Sequence, residues 1–443
     1  MTDTASPAAL ARPTFGEATA VWARIGLLSF GGPAGQIALM HRELVDERRW
    51  IDEARFLHAL NFCMLLPGPE AQQLATYIGW ALHGWRGGVV AGLLFVLPGL
   101  ACILALSAAY GLLTDAGWLA AIFFGLKAAV LVIVVEATLR MGRRALKTRL
   151  SLVLAAAAFI ALFVFALPFP LVVLGAGLIG LLLARNAGAG GTESTLAPIG
   201  WRRTLATGLR WALVWFAPLV PLTLLLGPDS VFVTLFVFFS QMAVVTFGGA
   251  YAVLAYVAQA AVQGFGWLQP AEMIDGLALA ETTPGPLVLV LSFVGFLAGL
   301  RQAGDLWPLA AGLLGGLVTA WATFAPSFLW IFAGAPHIDR LRGNRLLSGA
   351  LAAITAAVVG VILNLALWFG LHVLFAEVGR LDLGIVSLPM PLWQSFDALA
   401  LAFVAVAAVA LFALRLGVPW TLLILAGLGL LVHLFGAGGF SPS

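Results

Sequence analysis

The sequence has few charged residues and few cysteines for its length. Of its 443 residues, 10% are charged and 62% are hydrophobic, whereas about a quarter of the residues in a soluble domain are charged. This composition excludes an ordinary soluble globular protein. The two cysteines, Cys63 and Cys102, lie in apolar segments without a CxxC spacing. They are therefore interpreted as small buried hydrophobes and not as a disulfide or a metal site.

Several function classes lack the residues that they require. No GxxxxGK[ST] phosphate-binding loop is present, which argues against a nucleotide-driven pump. The six histidines show neither a metal-ligand spacing nor a nucleophile–base pattern, so a membrane-embedded enzyme is the least favoured class. We expect no cofactor and no metal. The net charge is only +3, and the basic residues lie in short loops, as membrane topology signals do.

Long apolar runs occupy most of the chain. A helix crosses a bilayer with about 20 apolar residues, and the runs at 87–112 and 118–141 are long enough to do so. Shorter apolar arms lie between such runs. The sequence therefore predicts an all-α polytopic membrane protein with about 10–14 membrane segments.

Two breaks interrupt the apolar sequence of the first half. Residues 29–33 read Ser-Phe-Gly-Gly-Pro, and residues 66–70 read Leu-Pro-Gly-Pro-Glu. Pro67 cannot continue a helix, Gly68 permits a sharp turn, and Pro69 suits the first position of a new helix. Each break predicts a helix N-terminus, whose free amides and partial positive charge suit an anion. Broken helices and re-entrant hairpins inside a bilayer indicate the binding site of a transporter.

Both breaks recur in the second half. Thr-Phe-Gly-Gly at 246–249 and Thr-Pro-Gly-Pro at 283–286 follow the first pair at a constant offset of 217 residues. An internal repeat of this length is a property of the whole fold. We predict a first repeat at 1–186, a linker with an extra connecting helix at 187–228, and a second repeat at 229–443.

The lysines and arginines of the loops predict the sidedness of the two halves. The segments 42–55, 140–150 and 185–210 each contain at least four lysines and arginines and are expected in the cytoplasm, because the positive residues and not the net charge set the orientation. The segment 264–270, the counterpart of 42–55, has no lysine or arginine. The sequence therefore predicts inverted-topology repeats, with the site at their interface near the membrane midplane.

Five charged residues lie within apolar segments, where a charge costs several kcal/mol and indicates function by default. They are Arg24, Glu70, Lys127, Glu136 and Glu281. Arg24 could instead snorkel to the interface, Glu136 could pair with the basic loop, and Glu70 could interact with a helix dipole. Lys127 is near the centre of its span, where the alternative to a substrate role is a structural pair with Glu136. The three glutamates are the candidate proton carriers.

At these residues the sequence resembles the chromate ion transporter family in its long two-domain form. The resemblance rests on residues 30–33, 50–56, 67–69 with Gln72, 247–249 and 283–286. It covers nearly the whole chain. One departure is Ala250, which stands where the first half has Pro33 and which weakens the second break as an anion-binding N-terminus.

The resemblance implies a multi-pass protein of the inner (plasma) membrane that exports chromate, is driven by the proton motive force and confers chromate resistance. It also implies a link to sulfate, which has the same charge and shape. The candidate substrate-binding residues are Arg24, Gly31, Gly32, Gly68, Glu70, Gln72, Lys127, Gly248, Gly249 and Gly285. The expected partners are the oxyanion, protons and the lipid bilayer, without nucleic acid.

Two alternatives remain open at this point. One is a permease for sulfate or another oxyanion, and the other is a passive anion channel. The residues themselves fix neither the direction of transport nor the oligomeric state, a homodimer included.

Overall fold

Apolar helices make up most of the chain. The computed structural model describes residues 13–113, 116–186, 201–247, 249–338, 345–384 and 386–435. In these ranges seven helices are long and apolar enough to cross a membrane, and four shorter apolar helices accompany them. The prediction of an all-α polytopic membrane protein is confirmed, while the inverted relation of the repeats stays a prediction.

The described residues of the first half form seven helices. They are α1 (Phe15–Leu28), α2 (Gly32–His41), α3 (Glu53–Cys63), α4 (Glu70–Leu113), α5 (Gly117–Ala145), α6 (Arg149–Phe163) and α7 (Phe169–Asn186). A π-helical turn, Arg42–Glu47, extends α2. Within α4 the backbone leaves the helical region at His83 and Gly84, so that a short arm after the Pro-Gly-Pro break is followed by a full span.

Two helices connect the halves. They are α8 (Trp201–Phe216) and α9 (Leu219–Leu226), which together give an apolar stretch of 26 residues, where the sequence predicts an extra span. The predicted polar linker at 187–195 lies outside the described residues.

The second half repeats the order of the first. Its helices are α10 (Val231–Val245), α11 (Ala250–Gln259), α12 (Pro270–Thr282), α13 (Val290–Arg301), α14 (Pro308–Gly334), α15 (Arg345–Leu374), α16 (Ala398–Ala408) and α17 (Val418–Phe435). A π-helical turn at Ala260–Gly264 again follows the second helix. Short 3₁₀ turns lie at Leu287–Leu289, Ala335–His337 and Trp393–Ser395, and a π turn lies at Val409–Ala413.

The two halves exchange their long helices. The first-half helix α5 packs against α16 and α17, and the second-half helix α15 packs against α6 and α7. Glycines permit these close approaches, as is usual between membrane helices. A Cβ at Gly125 of α5 would lie 2.0 Å from the carbonyl oxygen of Leu425, and one at Gly360 of α15 would lie 2.0 Å from that of Ala155. Each half therefore supplies a long helix that packs against helices of the other half.

Helix α13 of the second half is enclosed in a hydrophobic core to which both halves contribute. Every residue from Val290 to Gly299 of α13 is buried, and a helix that is apolar all round is expected to be enclosed by others. Helix α13 packs against α14 and α4. The second pair of breaks is therefore held deep inside the protein.

A small β-hairpin departs from the predicted all-α fold. Strands β1 (Val378–Leu383) and β2 (Val386–Pro391) pair in antiparallel register, with Val378 opposite Pro391. Most of β1 is exposed. The sequence does not predict these strands, because six-residue strands give a weak signal beside long apolar helices.

Candidate transport site

Each Pro-Gly-Pro break is hydrogen-bonded to the Phe-Gly-Gly break of the other half. The amide of Gly68 donates to the carbonyl of Thr246 at 2.9 Å, and the amide of Gly285 donates to the carbonyl of Ser29 at 2.8 Å. Gly68 and Gly285 have φ values of +115° and +95°, which glycine adopts at little cost. All four breaks therefore contribute to one region of the molecule. In this arrangement neither of the two glycine amides is free to bind an anion.

The proline-containing helices α4 and α14 pack behind the breaks of the opposite half. A Cβ at Gly99, next to Pro98 in α4, would lie 2.2 Å from the carbonyl oxygen of Pro284. At the equivalent place in α14, the hydroxyl oxygen of Ser327 would lie 3.4 Å from a Cβ at Gly68. Helix backbones come this close only where side chains are small. The two helices thus fix the positions of the breaks.

Helices α2 and α11 begin in the Phe-Gly-Gly breaks without a side-chain cap. Gly31, Gly32 and Gly249 all have positive φ, at +86°, +68° and +99°. The first amides of an uncapped helix have no intrahelical partner and carry partial positive charge, which suits an anion or water. Gly248, a further sequence-predicted residue, lies outside the described residues.

Three glutamine side chains are buried beside the breaks. Gln72 donates to a backbone carbonyl of α14 at 3.3 Å, Gln36 donates to the carbonyl of Gly285 at 2.6 Å, and Gln73 donates to that of Pro67 at 2.6 Å. Their Oε1 atoms have no hydrogen-bond partner within the described ranges. Gln72 is a sequence-predicted residue. The other two are not, although an amide side chain close to a helix break in apolar sequence is a usable signal.

Lys127 of α5 faces Asp275 of α12. Its Nζ lies 3.7 Å from Asp275 Oδ1, and the hydroxyl of Tyr110 donates to Asp275 Oδ2 at 2.9 Å. The predicted alternative of a pair between Lys127 and Glu136 is wrong, since Glu136 is ion-paired to Arg140. Sequence reasoning missed Asp275. An acidic residue within a short apolar segment next to a break is the same signal that singles out Glu281.

Glu281 and Glu136 form a second polar group further along the same two helices. The hydroxyl of Tyr251 donates to Oε1 of Glu281 at 2.7 Å, and Glu281 is buried. Arg140, the partner of Glu136, interacts electrostatically with Glu281. Lys127 meets Asp275 in the middle of α12, and the cavity beside this pair is lined by Leu119 near the start of α5 and Ala271 near the start of α12. The helices α5 and α12 therefore run in the same direction.

Arg24 lies in α1 and Glu70 lies at the start of α4, both in the first half. Arg24 Nε lies 3.5 Å from Glu43 Oε1, and Arg48 holds the other oxygen of Glu43 at 3.3 Å. The Arg24 side chain is 57% exposed, and its ionic partner is the Glu43 carboxylate. The structure does not bring it to Lys127. Glu70 is the first residue of α4, where a carboxylate interacts favourably with the helix dipole.

A comparison with protein families assigns the chain. Residues 16–181 and 233–431 match the family model for the chromate transporter. The chain belongs to the chromate transporter family. The two matched regions correspond to the two halves of the structure, and the family is one of transporters and not of enzymes. Together with the seven long apolar helices, the match makes the chain a multi-pass membrane protein.

Curated relatives within the chromate transporter family cover most of the chain. A chromate transport protein of Pseudomonas aeruginosa is 34% identical over 76% of this chain and 77% of its own length. A probable chromate transport protein of Synechococcus elongatus is 30% identical over 78% of this chain and 82% of its own. A chromate transport protein of Cupriavidus metallidurans is 28% identical over 76% and 78%. No solved structure matches the chain.

Proposed function

We propose that this chain is a secondary active transporter of the inner membrane that exports chromate and so confers chromate resistance. The observation that carries the proposal is the pair of hydrogen bonds from Gly68 to Thr246 and from Gly285 to Ser29. These bonds bring broken membrane helices from two halves together, the arrangement in which transporters build a substrate site. Chromate is the substrate named for relatives at 28% and 34% identity.

We assign the oxyanion two kinds of positive partner along its path, the helix N-termini at the breaks and a cation in a cavity that these N-termini do not line. The uncapped starts of α2 and α11 offer amides at Gly31, Gly32 and Gly249, and each helix N-terminus supplies only about half a charge. A dianion therefore needs a full positive charge in addition, which Lys127 supplies. Glu70, Gln72 and Gly248 remain candidates for binding the substrate. The other three sequence-predicted residues are engaged elsewhere in this arrangement, since the amides of Gly68 and Gly285 are already hydrogen-bonded and Arg24 is ion-paired with Glu43.

Proton coupling is assigned to the three glutamates of the apolar segments, of which Glu281 is buried. Glu281 is the first candidate because its carboxylate, bonded to Tyr251, lies three residues before Pro284 of the second break. Glu70 and Glu136 are the other two. When a proton enters through one of these groups as an oxyanion leaves, export is driven by the proton motive force.

The contacts of α5 support an inverted relation between the halves. Because α5 and α12 run in the same direction, the start of α12 lies at the end of α5 that is opposite to the basic segment 140–150. The start of α3, the repeat of α12, belongs to the arginine-rich segment 42–55, which the count of lysines and arginines assigns to the same side as 140–150. Helices α3 and α12 would then enter the membrane from opposite faces.

Flux measurements in proteoliposomes test the proposal. Labelled chromate and sulfate are followed with an imposed pH gradient of either sign, and with the gradient collapsed. Chromate flux that reverses with the gradient supports the coupled exporter, whereas flux that ignores the gradient indicates a passive channel. Faster sulfate than chromate flux would favour a sulfate permease, and no flux of either oxyanion would refute the assignment.

A further inference from the structure

Lys127 and Asp275 form an ion pair without a direct hydrogen bond. The 3.7 Å between Lys127 Nζ and Asp275 Oδ1 exceeds hydrogen-bond length. Asp275 is 4% exposed, and its Oδ1 has no hydrogen-bond partner within the described ranges. A buried carboxylate oxygen in this state is costly unless another group interacts with it. Tyr110 holds the other oxygen at 2.9 Å.

A cavity adjoins this pair. Its volume is about 290 Å³, and its wall includes both residues and Tyr110. This is roughly ten times the volume that a water molecule occupies in the liquid, so a five-atom oxyanion fits beside the Lys127 ammonium. The Lys127 side chain is 22% exposed and is therefore open to the cavity.

Other charged and titratable groups face the same cavity. Glu272 of α12 is paired with Arg301, and Asp397 accepts a hydrogen bond from the first turn of α16. His372 of α15 is hydrogen-bonded to the carbonyl of Trp368. Each of these groups has a partner of its own, which leaves Asp275 as the carboxylate that neutralises Lys127.

We propose that Asp275 is an internal competitor of the transported oxyanion for Lys127. In the empty transporter the carboxylate neutralises the ammonium, and an arriving oxyanion displaces it while Tyr110 keeps hold of Oδ2. A lone ammonium within a membrane protein is costly, so the competitor returns whenever the oxyanion leaves. The empty site thus stays neutral. This inference rests on the proposed role of Lys127 in the site.

Equilibrium binding to the full-length protein in nanodiscs tests the competition. Sulfate is titrated calorimetrically into the wild type, Asp275→Asn and Asp397→Asn. Both variants remove one carboxylate from the same cavity, and asparagine preserves the helix cap at position 397. We expect Asp275→Asn to bind sulfate at least about tenfold more tightly, and Asp397→Asn to change the affinity less than about threefold. An unchanged or weaker affinity in folded Asp275→Asn overturns the inference.

A second variant covers the case in which Asp275→Asn does not fold. Asp275→Glu keeps the carboxylate and lengthens the side chain by one methylene, so the charge can approach the Lys127 ammonium more closely than the present 3.7 Å. A stronger competitor should weaken sulfate binding at least about threefold. An unchanged or tighter affinity in folded Asp275→Glu overturns the inference.

The same titrations separate this inference from the proposed function. Absence of sulfate and chromate binding in the wild type would refute both. Binding that is equal in the wild type and in Lys127→Met would remove Lys127 from the site, and the competition with it, while leaving an oxyanion transporter in place.

Discussion

The amide of Gly68 and the carbonyl of Thr246 are joined by a hydrogen bond of 2.9 Å, and the residues at the same places in the opposite halves, Gly285 and Ser29, are joined by one of 2.8 Å. The two bonds connect segments that are far apart in the chain. The Pro-Gly-Pro break of each half is thus hydrogen-bonded to the Phe-Gly-Gly break of the other half. A rearrangement of either half is therefore transmitted to the backbone that forms the other half of the site.

The first prediction concerns sidedness. Asp52 and Gln269 are the N-cap residues of the equivalent helices α3 and α12 and are separated by the repeat offset of 217 residues. Single cysteines at these positions, in a background carrying Cys63→Ala and Cys102→Ala, should react with a membrane-impermeant maleimide from opposite faces. Labelling of both positions from the same face would contradict inverted repeats.

The second prediction concerns the close packing behind a break. In Gly99→Ala the new methyl group would lie 2.2 Å from the carbonyl oxygen of Pro284, so backbone must move. We expect a loss of about 1–3 kcal/mol in stability and a large loss of transport. The matched control is Gly175→Ala in α7, where a Cβ meets nothing within 4 Å. Thermal unfolding in detergent should show the first variant destabilised and the control unchanged or slightly stabilised.

The third prediction concerns the charge of Lys127. Lys127→Met keeps the length and apolar character of the side chain, so the protein should still insert into the membrane while chromate efflux from loaded cells falls to background. Lys127→Arg should retain part of the activity, because a planar guanidinium does not reproduce a compact ammonium.

A double variant separates a substrate role from a structural ion pair. Lys127→Met combined with Asp275→Asn removes both charges of the pair and leaves no uncompensated carboxylate. If Lys127 only neutralises Asp275, the double variant should recover efflux. We expect it to remain inactive at wild-type expression levels.

The fourth prediction concerns proton coupling. Glu281→Gln keeps an acceptor for the Tyr251 hydroxyl but cannot exchange a proton, so chromate flux driven by a pH gradient should fall at least about tenfold. Exchange of labelled for unlabelled chromate without a gradient should persist. Tyr251→Phe is the control, because it removes the hydrogen bond of 2.7 Å and retains the carboxyl group. Gradient-driven flux at the wild-type rate in Glu281→Gln would exclude this residue as the proton carrier.

The sequence was informative about the breaks and much less so about their partners. The Pro-Gly-Pro and Phe-Gly-Gly segments could be recognised because proline and glycine have strong local effects on helices. The structure places these segments where helices end. The hydrogen bond between Gly68 and Thr246 could not be foreseen, since pairing across about 180 residues depends on how whole helices pack and not on local preference.

The charged residues show the same limit. Lys127 could be singled out from its apolar surroundings, but its partner could not. Glu136 lies nine residues from Lys127 on the same helix and is therefore the partner that the sequence suggests. Asp275 reaches Lys127 only because α12 of the second half packs against α5. Tyr110 and Tyr251 carry no charge and gave no signal of their own, although both hold a buried carboxylate.

The exchange of α5 and α15 between the halves has a consequence for biogenesis. When α5 enters the membrane during synthesis, the helices α16 and α17 that pack against it have not yet been made. Until then the face of α5 that they cover is exposed to lipid or to a chaperone. The first half on its own should therefore be a substrate for quality-control proteolysis. Two separately expressed fragments, one ending at residue 186 and one beginning at residue 201, should rescue each other by assembling into a heterodimer with the same interior.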